Sequence, residues 1–151
     1  MNVLIADEQS HLPIAHESIK QTLAFLIETE SVDCDEISVH LIDDRKISLM
    51  HEFYFQDPSP TDCISFPLDA PGQRDDGICF LGEIFLSTET AKRYAKEHEI
   101  DPYEEALLYL VHAFLHLLGY DDIEQEDRKK MREKEKVCID KLHQENIGLH
   151  P

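Results

Sequence analysis

The sequence predicts an α+β domain, a small mixed sheet of about four strands packed with about five helices. Three observations lead there: short apolar runs with strand periodicity, longer segments with apolar side chains at helical spacing, and their order, β-α-β-α-β-β-α-α-α. A chain of 151 residues is the length of one ordinary domain, and no repeat or low-complexity linker divides it. Residues 1–151 are therefore read as one unit.

Val3 to Ile5 is a short apolar strand. Pro13 suits the first turn of a helix, and Ala15, Ile19, Leu23, Leu26 and Ile27 share one face, so the spacing predicts a helix over 13–30. Ile37, Val39 and Leu41 alternate with Ser38 and His40, which predicts a strand over 36–42, followed by a short helix over 44–54. The segment DPSPTD at 57–62 forms turns and delivers a β-prone run, Cys63 to Phe66, that Pro67 ends. After a loop at 70–77, Ile78 to Ser87 reads as a strand in which Gly82 marks a kink, a bulge or a close approach. Thr88 to Glu97 is a helix behind a Thr or Ser cap. Asp101, Pro102 and Glu104 then supply a cap, a first-turn proline and a capping-box acid in the order a helix start requires. From Ala106 to Leu118 apolar side chains occupy all faces, as in a helix buried on most sides, and Gly119 stops it in a left-handed cap. The final helix, 123–144, is highly charged, with a thin stripe of Met131, Cys138 and Leu142.

Hydrophobic residues at 42% and charged ones at 30% make a globular mixture, too apolar for disorder. Cys34, Cys63, Cys79 and Cys138 are widely spaced without a CxxC pair, so they read as reduced thiols. The N-terminus lacks the basic and apolar regions of a signal peptide, and the longest apolar stretch is too short to span a bilayer. The expectation is a cytoplasmic protein without a membrane partner. A net charge of −18 repels phosphate backbones, so any nucleic acid must be held by local cations. Those available are Arg45, Lys46, Arg74, Lys92, Arg93, Lys96 and the run Arg128, Lys129, Lys130, Arg132. By itself that run describes a solvated helix face balanced by neighbouring glutamates.

Residues 112–122 read HAFLHLLGYDD. His112 and His116, four apart on a helix, share a face and can both point at one ion. The nine histidines would produce about half such a pair by chance, so on the spacing alone satisfied core histidines are the stronger reading. Three things favour metal. Both imidazoles lie in the most apolar helix, where Leu, Val and Phe offer polar rings no partner. Gly119 lets the chain turn back towards the same face. The order H-x3-H-x2-G-x2-D then matches the extended zincin spacing, with Asp122 in the third ligand position. The other reading of Asp122 is a cap for the last helix. Where HExxH peptidases carry their general base this chain has Ala113, which disfavours a zincin-like metallopeptidase and leaves metal-assisted attack on a phosphodiester.

HAFLHLLGYDD resembles the signature of the YbeY family of bacterial metal-dependent endoribonucleases, H-G-x-L-H-L-x-G-Y-D-H. PTDCISFP at 60–67 is similar to the family's P-T-D-V-L-S-F-P, and LGEIFLS at 81–87 to its L-G-D-I-x-I-S. The resemblance implies an α+β fold with a mixed sheet, one zinc ion, cleavage of single-stranded RNA, and roles in 16S rRNA 3′-end processing and ribosome quality control. It implies no DNA partner, and ribosomal RNA and ribosomal subunit proteins as partners. His112 and His116 match two family metal ligands, and Asp122 stands where the third is histidine. An aspartate adds negative charge and weakens the ion as a Lewis acid, which opens the site to divalent metals other than zinc. Phe55 and Asp57 stand where the family usually has an arginine and a lysine, so a phosphate clamp is lost. Thr61, Asp62 and Ser65 are substrate-side candidates by resemblance, and turn and strand residues by composition. The resemblance assigns no general acid. The expected function is a metal-dependent endoribonuclease of rRNA maturation; the alternative is a ribosome-associated metal-binding factor with weak or no nuclease activity.

Overall fold

A computed structural model describes residues 1–151. The elements are β1 (Asn2–Asp7), α1 (His16–Thr29), β2 (Glu36–Ile42), α2 (Asp44–Phe55), β3 (Cys63–Pro67), β4 (Phe80–Ser87), α3 (Thr88–His98), α4 (Pro102–Leu117) and α5 (Gln125–Gln144). The strands form one mixed sheet in the order β1-β2-β4-β3. β1 and β4 pair parallel to β2, while β3 runs antiparallel to β4 along the edge. The α+β architecture, the element order and the strand and helix counts are those expected. One cluster of 28 buried residues forms the main core, and α4 contributes more of it than any other helix. No helix is long and apolar enough to cross a membrane. All four cysteines are free thiols, three of them buried.

Local chemistry sets the boundaries. The Asp43 carboxylate accepts from the Lys46 amide and starts α2, Ser87 Oγ accepts from the Thr90 amide and starts α3, and Asp101 accepts from the Tyr103 amide and starts α4. At its other end α4 closes with two bonds, from Gly119 N to the His116 carbonyl at 3.1 Å and from Tyr120 N to the Leu115 carbonyl at 3.1 Å. Gly119 takes φ +101°, as a left-handed stop requires.

Several boundaries differ from expectation. Pro13 lies ahead of α1, not in its first turn: its carbonyl accepts from Tyr103 Oη at 2.7 Å, and Ala15 N donates to the His150 carbonyl at 2.8 Å. Tertiary partners thus hold 13–15 extended. Glu104 closes no capping box, because its carboxylate faces His143 Nε2 at 2.8 Å. Pro67 remains in β3, which an edge strand tolerates. β4 begins at Phe80, since the Cys79 carbonyl is already taken by the amides of Asp35 and Glu36. α5 begins at Gln125, two residues later than the pattern suggests.

Gly82 is both a bulge and a close approach. Glu36 pairs with Phe80 and Ser38 with Glu83, so β4 carries one residue more than β2 across that step. A Cβ at position 82 would lie 2.5 Å from the Phe66 carbonyl oxygen and 2.7 Å from Leu117 Cδ2. The glycine therefore lets the end of α4 pack against the β3–β4 pair. Gly82→Ala is expected to destabilise the fold by about 2–4 kcal/mol in denaturant unfolding, from the clash with backbone and the φ of +157° together.

Candidate metal centre

One turn of α4 separates His112 from His116, and their Nε2 atoms lie 3.0 Å apart. The turn after Gly119 returns the chain so that Asp122 Oδ2 stands 3.4 Å from each Nε2. The three residues expected to share an ion are thus brought together, and their donor atoms all lie within 4.8 Å of one another. Asp122 does not cap α5. Glu124 occupies that position, and the side chain that organises the turn is Asp121, which accepts from the Asp122 and Ile123 amides.

The outer face of each imidazole determines what its inner face presents. His112 Nδ1 meets Glu135 Oε1 at 2.8 Å, and His116 Nδ1 meets the Tyr120 carbonyl at 2.9 Å. A carboxylate and a carbonyl only accept, so both Nδ1 atoms carry the hydrogen and both neutral rings turn an Nε2 lone pair inward. Two lone pairs and an aspartate oxygen then converge with no hydrogen between them. Such a group requires a cation, or an added proton, at its centre. Bonds of about 2.0–2.1 Å to a tetrahedral ion would separate the ligand atoms by about 3.3–3.4 Å, close to the distances present. The residues fit a divalent metal.

All three residues line one cavity of about 390 Å3, together with His51, Phe55, Thr61, Asp62 and Ser65 among others. Thr61 and Asp62 line the cavity, and Asp62 Oδ1 also accepts from the Cys63 amide at 2.8 Å and shapes the turn. Ser65 is mainly structural, since its hydroxyl donates to the Ala113 carbonyl at 3.0 Å and ties β3 to the histidine helix. Burial, reinforced by Asp62, pushes the Cys63 thiol well up, so it stays protonated beside the ligands. Phe55 lies on the wall and Asp57 outside it, its carboxylate accepting from Ser59 N and Oγ.

Sequence reasoning missed Glu135 and His51. A signal for Glu135 existed: it falls on the face that carries Met131, Cys138 and Leu142, and an acid on an apolar stripe needs a partner. His51 Nδ1 approaches the Ser59 carbonyl at 3.0 Å, a loop contact without a sequence signal. Three of the expected cations are neutralised: Arg74 by Asp33 and Asp35, Lys46 by Glu8, and Arg93 by Asp44.

The hydrogen bond that His112 Nδ1 donates to Glu135 raises the pKa of His112, against the opposing effect of burial. In the metal-free protein the imidazolium therefore persists to higher pH than in an ordinary histidine. Its stabilising pairing with Glu135 is fully present below the unfolded-state pKa and is lost as pH rises through the folded one. Metal needs the neutral ring, so affinity should fall as pH drops through that raised value. Glu135→Gln is expected to move this acid limb to lower pH and to weaken metal binding by about 10–100-fold on its alkaline side, measured by competition with a chromogenic chelator.

Comparison with known proteins identifies the family. The family described as Endoribonuclease YbeY matches residues 4–143. A relative of that name from Protochlamydia amoebophila is 43% identical over 130 residues, 86% of this chain and 85% of its own. Another, from Chlamydia caviae, is 36% identical over 152 residues, 99% of this chain and 96% of its own. A Thermotoga maritima protein solved in solution shares the fold, with a TM-score of 0.66 at 23% identity, covering 95% of this chain and 90% of that one. Matched along nearly its whole length, the chain belongs to the YbeY endoribonuclease family.

Proposed function

We propose that the chain is a single-domain, metal-dependent endoribonuclease of rRNA maturation, acting on single-stranded RNA at the 3′ end of 16S rRNA and in ribosome quality control. One observation carries the chemistry: His112 Nε2, His116 Nε2 and an Asp122 carboxylate oxygen converge within 4.8 Å of one another in the lining of one cavity. His112, His116 and Asp122 are the ligands, and zinc is the ion that two imidazoles and a carboxylate suit best. A bound ion there would acidify water and polarise a phosphoryl oxygen. Glu135 and the Tyr120 carbonyl hold the imidazoles in the tautomer that faces inward. Thr61 and Asp62 shape the wall against which the scissile nucleotide rests. Because the ligands line a cavity, the backbone must enter it to reach them. An unpaired strand does this at lower cost than a duplex. The place of action is the cytoplasm, with ribosomal RNA and ribosomal subunit proteins as partners and DNA excluded.

A second reading is a ribosome-associated metal-binding factor with weak or no nuclease activity. It is favoured by the cavity wall, which presents Phe55 and no lysine or arginine. Peptidase chemistry is not proposed, since Ala113, at the position of a general base, is fully buried.

Bound metal and cleavage of single-stranded RNA, measured on untagged protein, separate these readings. Stoichiometric metal with cleavage that chelation abolishes is expected; metal without cleavage points to the binding factor. His112→Ala and His116→Ala should each lose metal and at least ~100-fold in cleavage rate. Cleavage that survives both substitutions and chelation would sink the metal mechanism. Asp122→His should tighten zinc, and unchanged affinity would remove Asp122 from the ligand set.

A further inference from the structure

The first turns of α5 carry a feature that the metal centre does not use. Arg128 and Arg132, four residues apart, share a helix face and line a hollow of about 150 Å3 together with His112, Asp122, Met131 and Glu135. This hollow adjoins the main cavity, because His112 and Asp122 line both. Its two carboxylates are already engaged, Glu135 by His112 and Asp122 by the group of three. Neither arginine is within salt-bridge distance of an acid, although the chain holds 32 acids against 14 lysines and arginines. The Arg128 side chain makes one bond, to the Ile123 carbonyl at 3.2 Å, which directs it back towards the turn that carries Asp122. Lys129 and Lys130, between them in sequence, line neither space.

We infer that Arg128 and Arg132 form a phosphate subsite that holds the RNA backbone beside the scissile linkage. The inference rests on the endoribonuclease reading and supplies what the main cavity lacks. A guanidinium is fully charged at any working pH and matches two phosphate oxygens at once. On an acidic protein, two unpaired guanidinia next to the ligands make a local attractive field that net charge conceals. The strand then crosses from the Phe55 wall over the ligands to α5, leaving the α4–α5 turn beneath it.

The test compares Arg128→Gln/Arg132→Gln with Lys129→Gln/Lys130→Gln, which removes the same charge from the same helix. Steady-state cleavage of a labelled single-stranded RNA at several salt concentrations, binding of the same strand by fluorescence anisotropy, metal content and Tm are measured for each. Expected for the arginine pair is a KM and Kd raised about tenfold with little change in kcat, and a salt slope smaller by about 0.7 for each phosphate released. Metal content and Tm should stay at wild-type values, and the lysine pair should change KM far less. Wild-type KM and salt slope in the arginine variant, or an equal effect from the lysine pair, overturns the subsite. If the metal-loaded wild type binds the strand without cutting it, the nuclease reading fails while anisotropy still decides for or against the arginines. If it does not bind the strand, the subsite fails as well.

Discussion

Helix α4 reaches the β3–β4 side of the sheet because residue 82 has no side chain, the Phe66 carbonyl and Leu117 occupying the space a methyl group would need. From that contact the rest of the centre is positioned. Ser65 fastens β3 to the Ala113 carbonyl, between the two histidines, so the imidazoles stand at a fixed height over the wall formed by Thr61 and Asp62. α5 then packs its narrow buried stripe on the other flank of α4 and brings Glu135 to His112. A bulge in one strand, made possible by one glycine, thus determines how sheet, helix and cavity meet.

The electrostatics of the molecule are local. Most of its carboxylates face solvent, where water screens them, and several cations that a sequence count would offer to RNA are consumed by acids at their side. The carboxylates that matter for the metal are the two at its edge, and each has a separate task. Asp122 lowers the net charge of the ligand set, while Glu135 fixes a hydrogen on the far side of His112 and increases the basicity of the ring.

Much of the fold was legible because its signals are local. β2 is legible to the residue from alternation, and α4 from the Asp101 cap, the fixed φ of Pro102 and the Gly119 stop, each a signal that acts within a few residues. Where the reading failed, distant partners had prevailed: Tyr103 and His150 hold the segment around Pro13, His143 takes Glu104, and Asp35 and Glu36 take the Cys79 carbonyl. The same division runs through the centre. His112 and His116 were legible as a helical pair and Asp122 through the glycine turn. Glu135, 23 residues beyond His112, belongs to another helix and required the packing to be known. Arg128 and Arg132 read as a solvated face because their run lies among lysines and acids in the sequence, whereas in space they line a hollow with His112 and Asp122.

The reversal from Leu117 to Asp122 does three things with a handful of residues. It closes α4, offers the Tyr120 carbonyl to His116, and returns the third ligand to the first two. Such a turn acts as a ruler. The backbone it returns places the short Asp122 side chain with Oδ2 3.4 Å from both Nε2 atoms. The length of the turn cannot change, since one inserted residue would take the carbonyl from one imidazole and the ligand from both. A substitution at the end of the turn therefore changes the donor atom, whereas an insertion within it would move the donor away.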